Sequence, residues 1–448
     1  MYRFAQDEIK TWFKNSTKAL LVSGARQVGK TYTVRKTLTE LNQNFYEINF
    51  IERQEIVKAL KEISDISLLE NKLSLYLSIE KDNGKPVVFL DEIQEFPEIV
   101  TKIKFLVDRG TYRYILSGSM LGIELKGIHS IPVGYLEEIR MYPMSLYEFS
   151  IAMGVTENTL RHIDKCYMDK SPVDPVIHTK MLSLFHTYLI IGGMPSVVSR
   201  FLRETTLKAV QEEQENIIRF YKADFIKYET EDRKLRIISI YDNIPAQLNK
   251  QNLKFKFTFL DKELKFDRYE NSFIWLSEAN VSIPVYIANE AKTPLVISKA
   301  RNSFKLFMSD VGLLTSTFPY SAREEIISGI NEYNNGALFE NFVAEELTTN
   351  GIQPYYFNSK AIGEIDFIVE IDGNVLPIEV KSGKETKRHR ALDNLMNIKN
   401  YNIAGSLVLS EDNVQTDGKI VYLPIYMAGL LKKETPSNKH VDLDKFKF

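Results

Sequence analysis

Two groups of residues stand at spacings that could do chemistry. The first is Gly24-Ala25-Arg26-Gln27-Val28-Gly29-Lys30-Thr31, a glycine and four residues before Gly-Lys-Thr. It follows the apolar run Ala19 to Val22 and opens a helix-like stretch, the context a phosphate-binding loop requires. Its glycines let backbone amides close around phosphate oxygens. Lys30 brings a positive charge to the outer phosphates, and the helix start adds its dipole. Thr31 offers a hydroxyl to magnesium, and Tyr32 completes a nucleotide-binding set that runs from Gly24 to Tyr32. The partner run, Val87 to Leu90, delivers Asp91 and Glu92 at the carboxyl end of a strand, where open α/β sheets place ligands. Asp91 is expected to hold magnesium through water, and Glu92 to orient or deprotonate the attacking water. Ser119, after the run Tyr114 to Leu116, is expected to touch the terminal phosphate or that water; an ordinary turn serine is the alternative.

The second group is Glu340, Asp366 and Glu379-Val380-Lys381. A strand's period of two sends Glu379 and Lys381 to one face, where Asp366 on an adjacent strand can meet them. Carboxylates so placed can bind magnesium with open positions, which polarises a scissile phosphate and lowers the pKa of water. Lys381 would stabilise developing charge or position the nucleophile. The expected catalytic set is Asp366, Glu379 and Lys381, and the expected metal set is Glu340, Asp366 and Glu379. The spacing is loose and acids at strand ends are common, so a structural role stands beside the metal one. The basic run 384–390 could meet a nucleic-acid backbone, or simply be a solvated helix start.

The elements that must carry these groups are legible in outline. Apolar runs at Ala19 to Val22, Phe45 to Phe50, Val87 to Leu90 and Tyr114 to Leu116 alternate with amphipathic stretches beginning at Arg53 and Ile99. That alternation predicts an α/β fold with a parallel sheet and crossover helices. Pro143 is expected to start a helix. Residues 160–231 read as helical, broken at Gly192-Gly193-Met194-Pro195. Residues 235–318 read as a small helical unit with a β-hairpin whose arms are 283–289 and 294–298, a winged-helix-like shape. Ser328 to Gly336 is the linker candidate, and a second α/β unit follows it. The expected division is 1–155, 156–234, 235–325 and 326–448.

At these residues the chain resembles the prokaryotic AAA+ superfamily ATPases that carry a restriction-endonuclease-like carboxyl-terminal domain. GARQVGKT, LDEIQEFP and LSGSM carry the resemblance, with IGGMP (191–195), FKLFMSDVGLL (304–314) and GALFENFVAEEL (336–347). It implies ATP, magnesium, an AAA+ core, a helical and winged-helix-like middle, and a PD-(D/E)xK nuclease-like end. One departure stands out: where family members often show an arginine or lysine, the stretch 133–140 has Tyr135. The missing transition-state charge would then come from Arg140 or be poorly neutralised, which implies slow turnover.

Composition narrows the partners. The 448 residues hold 57 basic and 59 acidic side chains, a net charge of -2, which excludes a globally basic nucleic-acid coat protein. The single cysteine, Cys166, excludes an internal disulfide framework and a cysteine-rich zinc site. No signal peptide or bilayer-length apolar run is visible, so a cytoplasmic protein is expected. Two roles compete: an ATP-driven switch of a magnesium-dependent nuclease acting on DNA, and a nucleotide-gated interaction or signalling protein whose nuclease-like domain no longer cuts. Its partners would be DNA, another protein or further copies of the chain.

Overall fold

The computed structural model describes residues 1–80, 85–118, 132–227, 231–248, 254–255, 269–329, 335–383, 385–401 and 403–433. Strands β1 (Ala19–Gly24), β2 (Phe45–Asn49), β3 (Val87–Asp91), β4 (Arg113–Gly118) and β5 (Leu136–Met141) form an all-parallel sheet of order β2-β3-β4-β1-β5. Both β1 and β3 are buried along their whole length. This is why they read as unbroken apolar runs: a parallel sheet is covered on both faces. The helices Gln54–Lys61, Ile66–Tyr76 and Glu98–Arg109 close one face, where Leu60, Leu69, Ile99 and Ile103 pack on Val88, Leu90 and Leu116. On the other face Phe4–Asn15 and Lys30–Glu40 join a core that continues into the rest of the chain.

The sheet leads into a helix at Leu146–Ala152, not at Pro143 as expected. Ser145 caps it, in a box with Glu148, so the exposed backbone amides find acceptors two residues beyond the proline. Helices Glu157–Asp169, Pro175–Ile191, Pro195–Glu204, Leu207–Lys227 and Glu231–Leu248 build the middle. The break at Gly192-Gly193 is packed against Asp310. Gly192 has φ +73, and a Cβ there would run into the Asp310 carboxylate. Asp310 accepts from the Gly193 amide at 2.6 Å and from Leu313 at 2.9 Å, capping the helix Val311–Thr315. The motifs IGGMP and DVGLL therefore meet as the two halves of one helix joint.

A mixed sheet lies beyond it. It contains β6 (Ser282–Ala288), β7 (Lys299–Met308), β8 (Tyr355–Ser359), β9 (Gly363–Ile371), β10 (Asn374–Val380), β11 (Ser406–Ser410), β12 (Gln415–Asp417) and β13 (Ile420–Pro424), in the order β12-β13-β11-β10-β9-β8-β6-β7. The β6–β7 hairpin, expected inside a winged-helix-like unit at 235–325, continues this sheet: β6 pairs in parallel with β8 at Tyr286 and Tyr355. Its second arm is β7; the expected arm at 294–298 is instead a 3₁₀ turn, Leu295–Ser298. Helix Gly336–Thr349 is buried from Phe342 through Leu347 against the sheet. Among the described residues no single helix is long and apolar enough to cross a membrane.

Candidate functional site

The loop after β1, the end of β3 and the end of β4 converge because β4 lies between β3 and β1. Gly24 has φ +142, and a side chain there would strike the Met141 carbonyl of β5, so only glycine lets the loop leave the sheet here. Gln27 also takes a left-handed backbone, φ +67, within the loop. Ala25 and Val28 are buried beneath it, while Tyr32 faces solvent. On its outer side Arg3 donates to the Val28 carbonyl at 2.6 Å and to the Tyr142 carbonyl at 2.6 Å, and is ion-paired with Glu148.

Lys30 folds back onto the loop, donating its ammonium to the Gly24 carbonyl at 2.9 Å and the Ala25 carbonyl at 2.8 Å. Burial brings its pKa down to about 8; Glu92 and Asp91 oppose the fall and Arg26 adds to it. Thr31 Oγ1 lies 3.0 and 3.1 Å from the two Asp91 oxygens. Asn49, paired with Asp91 across β2 and β3, donates to Oδ2 at 3.1 Å, and Ser117 donates to Oδ1. Burial pushes the Asp91 pKa up, against the hydrogen bonds from Ser117 and Thr31. Glu92, next along, has φ +58 and accepts from the Gln94 amide. A non-glycine residue in that region costs free energy and is typical of residues aimed for function. This hydroxyl and carboxylate donor set fits a hard divalent cation such as magnesium. Ser119 lies outside the described residues. Tyr135 lies beneath the Lys104 ammonium, 5.5 Å from its ring centroid. Arg140 is 3.8 Å from Glu138 and lines a cleft of about 350 Å³ with Tyr142, Glu278 and Lys299.

The C-terminal group also comes together, around a residue that sequence reasoning missed. The Lys305 ammonium, fully buried on β7, lies 3.0 Å from Glu340 and 2.9 Å from Glu364. Burial lowers its pKa, but Glu340, Asp366 and Glu364 together hold it above the ordinary lysine value. Asp366 accepts from the Val380 amide at 2.8 Å, and Lys381 is 2.8 Å from Glu379. Among the described residues the second Glu379 oxygen is buried without a hydrogen-bond partner. Burial raises Glu340 to about 8 despite Lys305, and raises Glu379 to about 7 with Asp366 adding to the rise.

Glu340 and Glu379 each lie close enough to Asp366 for its charge to raise their pKa values; among the described residues no group of three or more acidic, histidine or cysteine side chains is arranged to hold a metal ion. The Lys305 ammonium engages Glu340 directly. A lone lysine inside the apolar run 304–308 was the available signal, since a buried charge requires a partner. Asn49 and Ser117 carried a weaker one, as small polar residues at or near the ends of strands of the parallel sheet. The basic run 384–390 places Arg388 in solvent beside Glu385, as a solvated helix start would.

Residues 16–150 match the family described as an AAA domain, so the chain carries an AAA-type P-loop ATPase domain. Residues 182–324 match a domain of unknown function (DUF8612), and residues 335–427 another (DUF4143). The comparison with curated proteins gave no match. Among solved structures, the Walker-type ATPase of Pyrococcus abyssi is similar at 16% identity and a TM-score of 0.41, over 69% of this chain and 93% of that one. The Aeropyrum pernix Orc1 protein in complex with DNA is similar at 12% identity and a TM-score of 0.26, over 71% and 92%. Cdc6p from Pyrobaculum aerophilum is similar at 12% and 0.23, over 72% and 92%. Likeness this loose assigns no shared activity.

Proposed function

We propose that this chain is a cytoplasmic ATP-dependent switch: residues 1–155 bind ATP with magnesium and hydrolyse it slowly, and the nucleotide state sets how the C-terminal unit, 326–448, meets a partner through the helical middle at 156–234 and the unit at 235–325. The observation that supports the nucleotide reading is the meeting of Thr31 Oγ1 with Asp91 at 3.0 Å, beside a lysine already held on the loop. The loop amides and Lys30 would take the phosphates. Thr31 and Asp91 would hold magnesium, which when bound neutralises charge on the outer phosphates. Glu92, anchored by Gln94, orients the attacking water and accepts its proton. Slow turnover follows from Tyr135, and from Arg140 being turned toward Glu138 and the cleft.

The test is calorimetry with ATP and magnesium beside a phosphate-release assay. Glu92→Gln should bind ATP as the parent does and lose about a hundredfold or more of its turnover. Parental hydrolysis by that variant overturns the role of Glu92.

For the C-terminal unit we favour a restriction-endonuclease-like fold acting as a binding module over a magnesium-dependent nuclease. Lys305 supports this, because a buried ammonium supplies the positive charge that a metal would otherwise bring. Lys381 is likewise engaged by Glu379 rather than free for a nucleophile. Nicking of plasmid DNA that requires magnesium, with or without ATP, would restore the nuclease reading.

A further inference from the structure

The phosphate loop carries a second cation whose partner lies outside the ATPase sheet. Arg26 Nη1 is 2.5 Å from the Asp224 carboxylate, on helix Leu207–Lys227. Tyr221, three residues earlier and on the same helix face, donates its hydroxyl to the Arg26 carbonyl at 3.0 Å. One face of this helix therefore grips both the main chain and the side chain of a single loop residue. The same helix is tied to the joint at Gly192. Gln214 donates to the Ile190 and Ile191 carbonyls at 2.7 and 3.2 Å, and accepts from buried Arg323 at 2.7 Å.

Arg26 lies four residues before Lys30 on the loop whose amides would take the phosphates. A carboxylate and a phosphate are comparable partners for a guanidinium, since both accept its forked donors. Exchanging one for the other is close to balanced, as a switch requires, because a ligand shifts an equilibrium only by its differential affinity for the two states.

We propose that Arg26 is a positioning residue that trades Asp224 for the terminal phosphate of bound nucleotide, so that ATP, and not ADP, releases helix Leu207–Lys227 from the loop. This rests on the ATP reading given above. It supplies the route by which nucleotide state reaches the helical middle and, through Gln214 and Arg323, the joint with the Asp310 segment.

The test compares magnesium-bound ADP with the β,γ-imido analogue of ATP, by calorimetry on the full chain. Arg26→Ala should lower the ratio of triphosphate to diphosphate affinity about tenfold. Arg26→Lys should recover part of the ratio. Asp224→Asn should tighten the triphosphate about threefold, and that gain should vanish when Arg26→Ala is added. An unchanged ratio in Arg26→Ala overturns the proposal, as does a gain in Asp224→Asn that is equal for both nucleotides. If Asp224→Asn fails to fold, the Arg26→Ala and Arg26→Lys ratios decide alone. If the parent binds neither nucleotide, the ATP reading falls and this inference with it; if it binds both and the ratio does not respond, only this inference falls.

Discussion

The two acidic sites use the same residue types and differ in what balances the carboxylates. At the N-terminal site Asp91 is met by neutral donors, Thr31, Asn49 and Ser117, while the Lys30 ammonium rests on loop carbonyls. At the C-terminal site Lys305 bridges Glu340 and Glu364, and Lys381 pairs with Glu379. Neutral donors can be traded for a metal and its waters at little cost. A buried ammonium cannot leave its carboxylates without stranding charge. The difference lies in the cation the chain builds in, not in the number of acids.

Removing that built-in cation should give the largest effect. Lys305→Met leaves Glu340 without its cation in a buried setting, a loss of about 3–5 kcal/mol in chemical or thermal unfolding. The comparison sharpens with manganese, which should raise the melting temperature of Lys305→Met and leave the parent's unchanged. A variant as stable as the parent, or one indifferent to manganese, breaks the account of Lys305 as the balancing charge. At the N-terminal site the matching change, Lys30→Ala, should weaken ATP about a hundredfold with little change in melting temperature, because its present partners are loop carbonyls. Binding equal to the parent's would remove the phosphate-loop assignment. Lys381→Met should cost only about 1 kcal/mol, since that ammonium is partly solvated and can be replaced by water.

How far the sequence reached follows the same division. The ends of β1 and β3 were legible, because strands buried on both faces are unbroken apolar runs and the phosphate loop tolerates few residue types. Edge strand β5 escaped notice: Glu137, Glu138 and Arg140 lie among its apolar residues, and the sequence offers no run there. Pro143 misled because the Ser145–Glu148 box outranks a proline that lies before the cap. Pairing of β6 with β8 joins segments distant in the chain, and such pairing leaves no local signature. Spacing placed Asp366, Glu379 and Lys381 near one another. Lys305, whose ammonium engages Glu340 and Glu364 beside them, comes from a hairpin assigned to another unit.

The smallest effect is a pH dependence, and its sign tests whether the buried acids away from the phosphate loop act alike. Asp310 is raised to about 6 by burial, against backbone amides led by that of Gly193. Glu346, which accepts from the Leu146 amide at 2.8 Å, is raised to about 7, also by burial. A carboxyl whose pKa is higher in the folded state binds protons more readily there than when unfolded. Stability therefore falls as pH rises through the interval between the two values: from about 3.8 to 6 for Asp310 and from about 4.5 to 7 for Glu346. Glu340 and Glu379 add the same sign up to about 8 and 7. Lys30 has the opposite sign in a higher window: its folded pKa of about 8 lies below the ordinary lysine value of 10.5, so its part of stability grows as pH rises between them. Melting temperature should thus be higher at pH 6 than at pH 8, and Glu346→Gln should flatten that slope. A melting temperature that rises from pH 6 to pH 8 would mean that these carboxyls are ionised in the fold at no cost, and that the contrast between the two sites does not rest on buried charge.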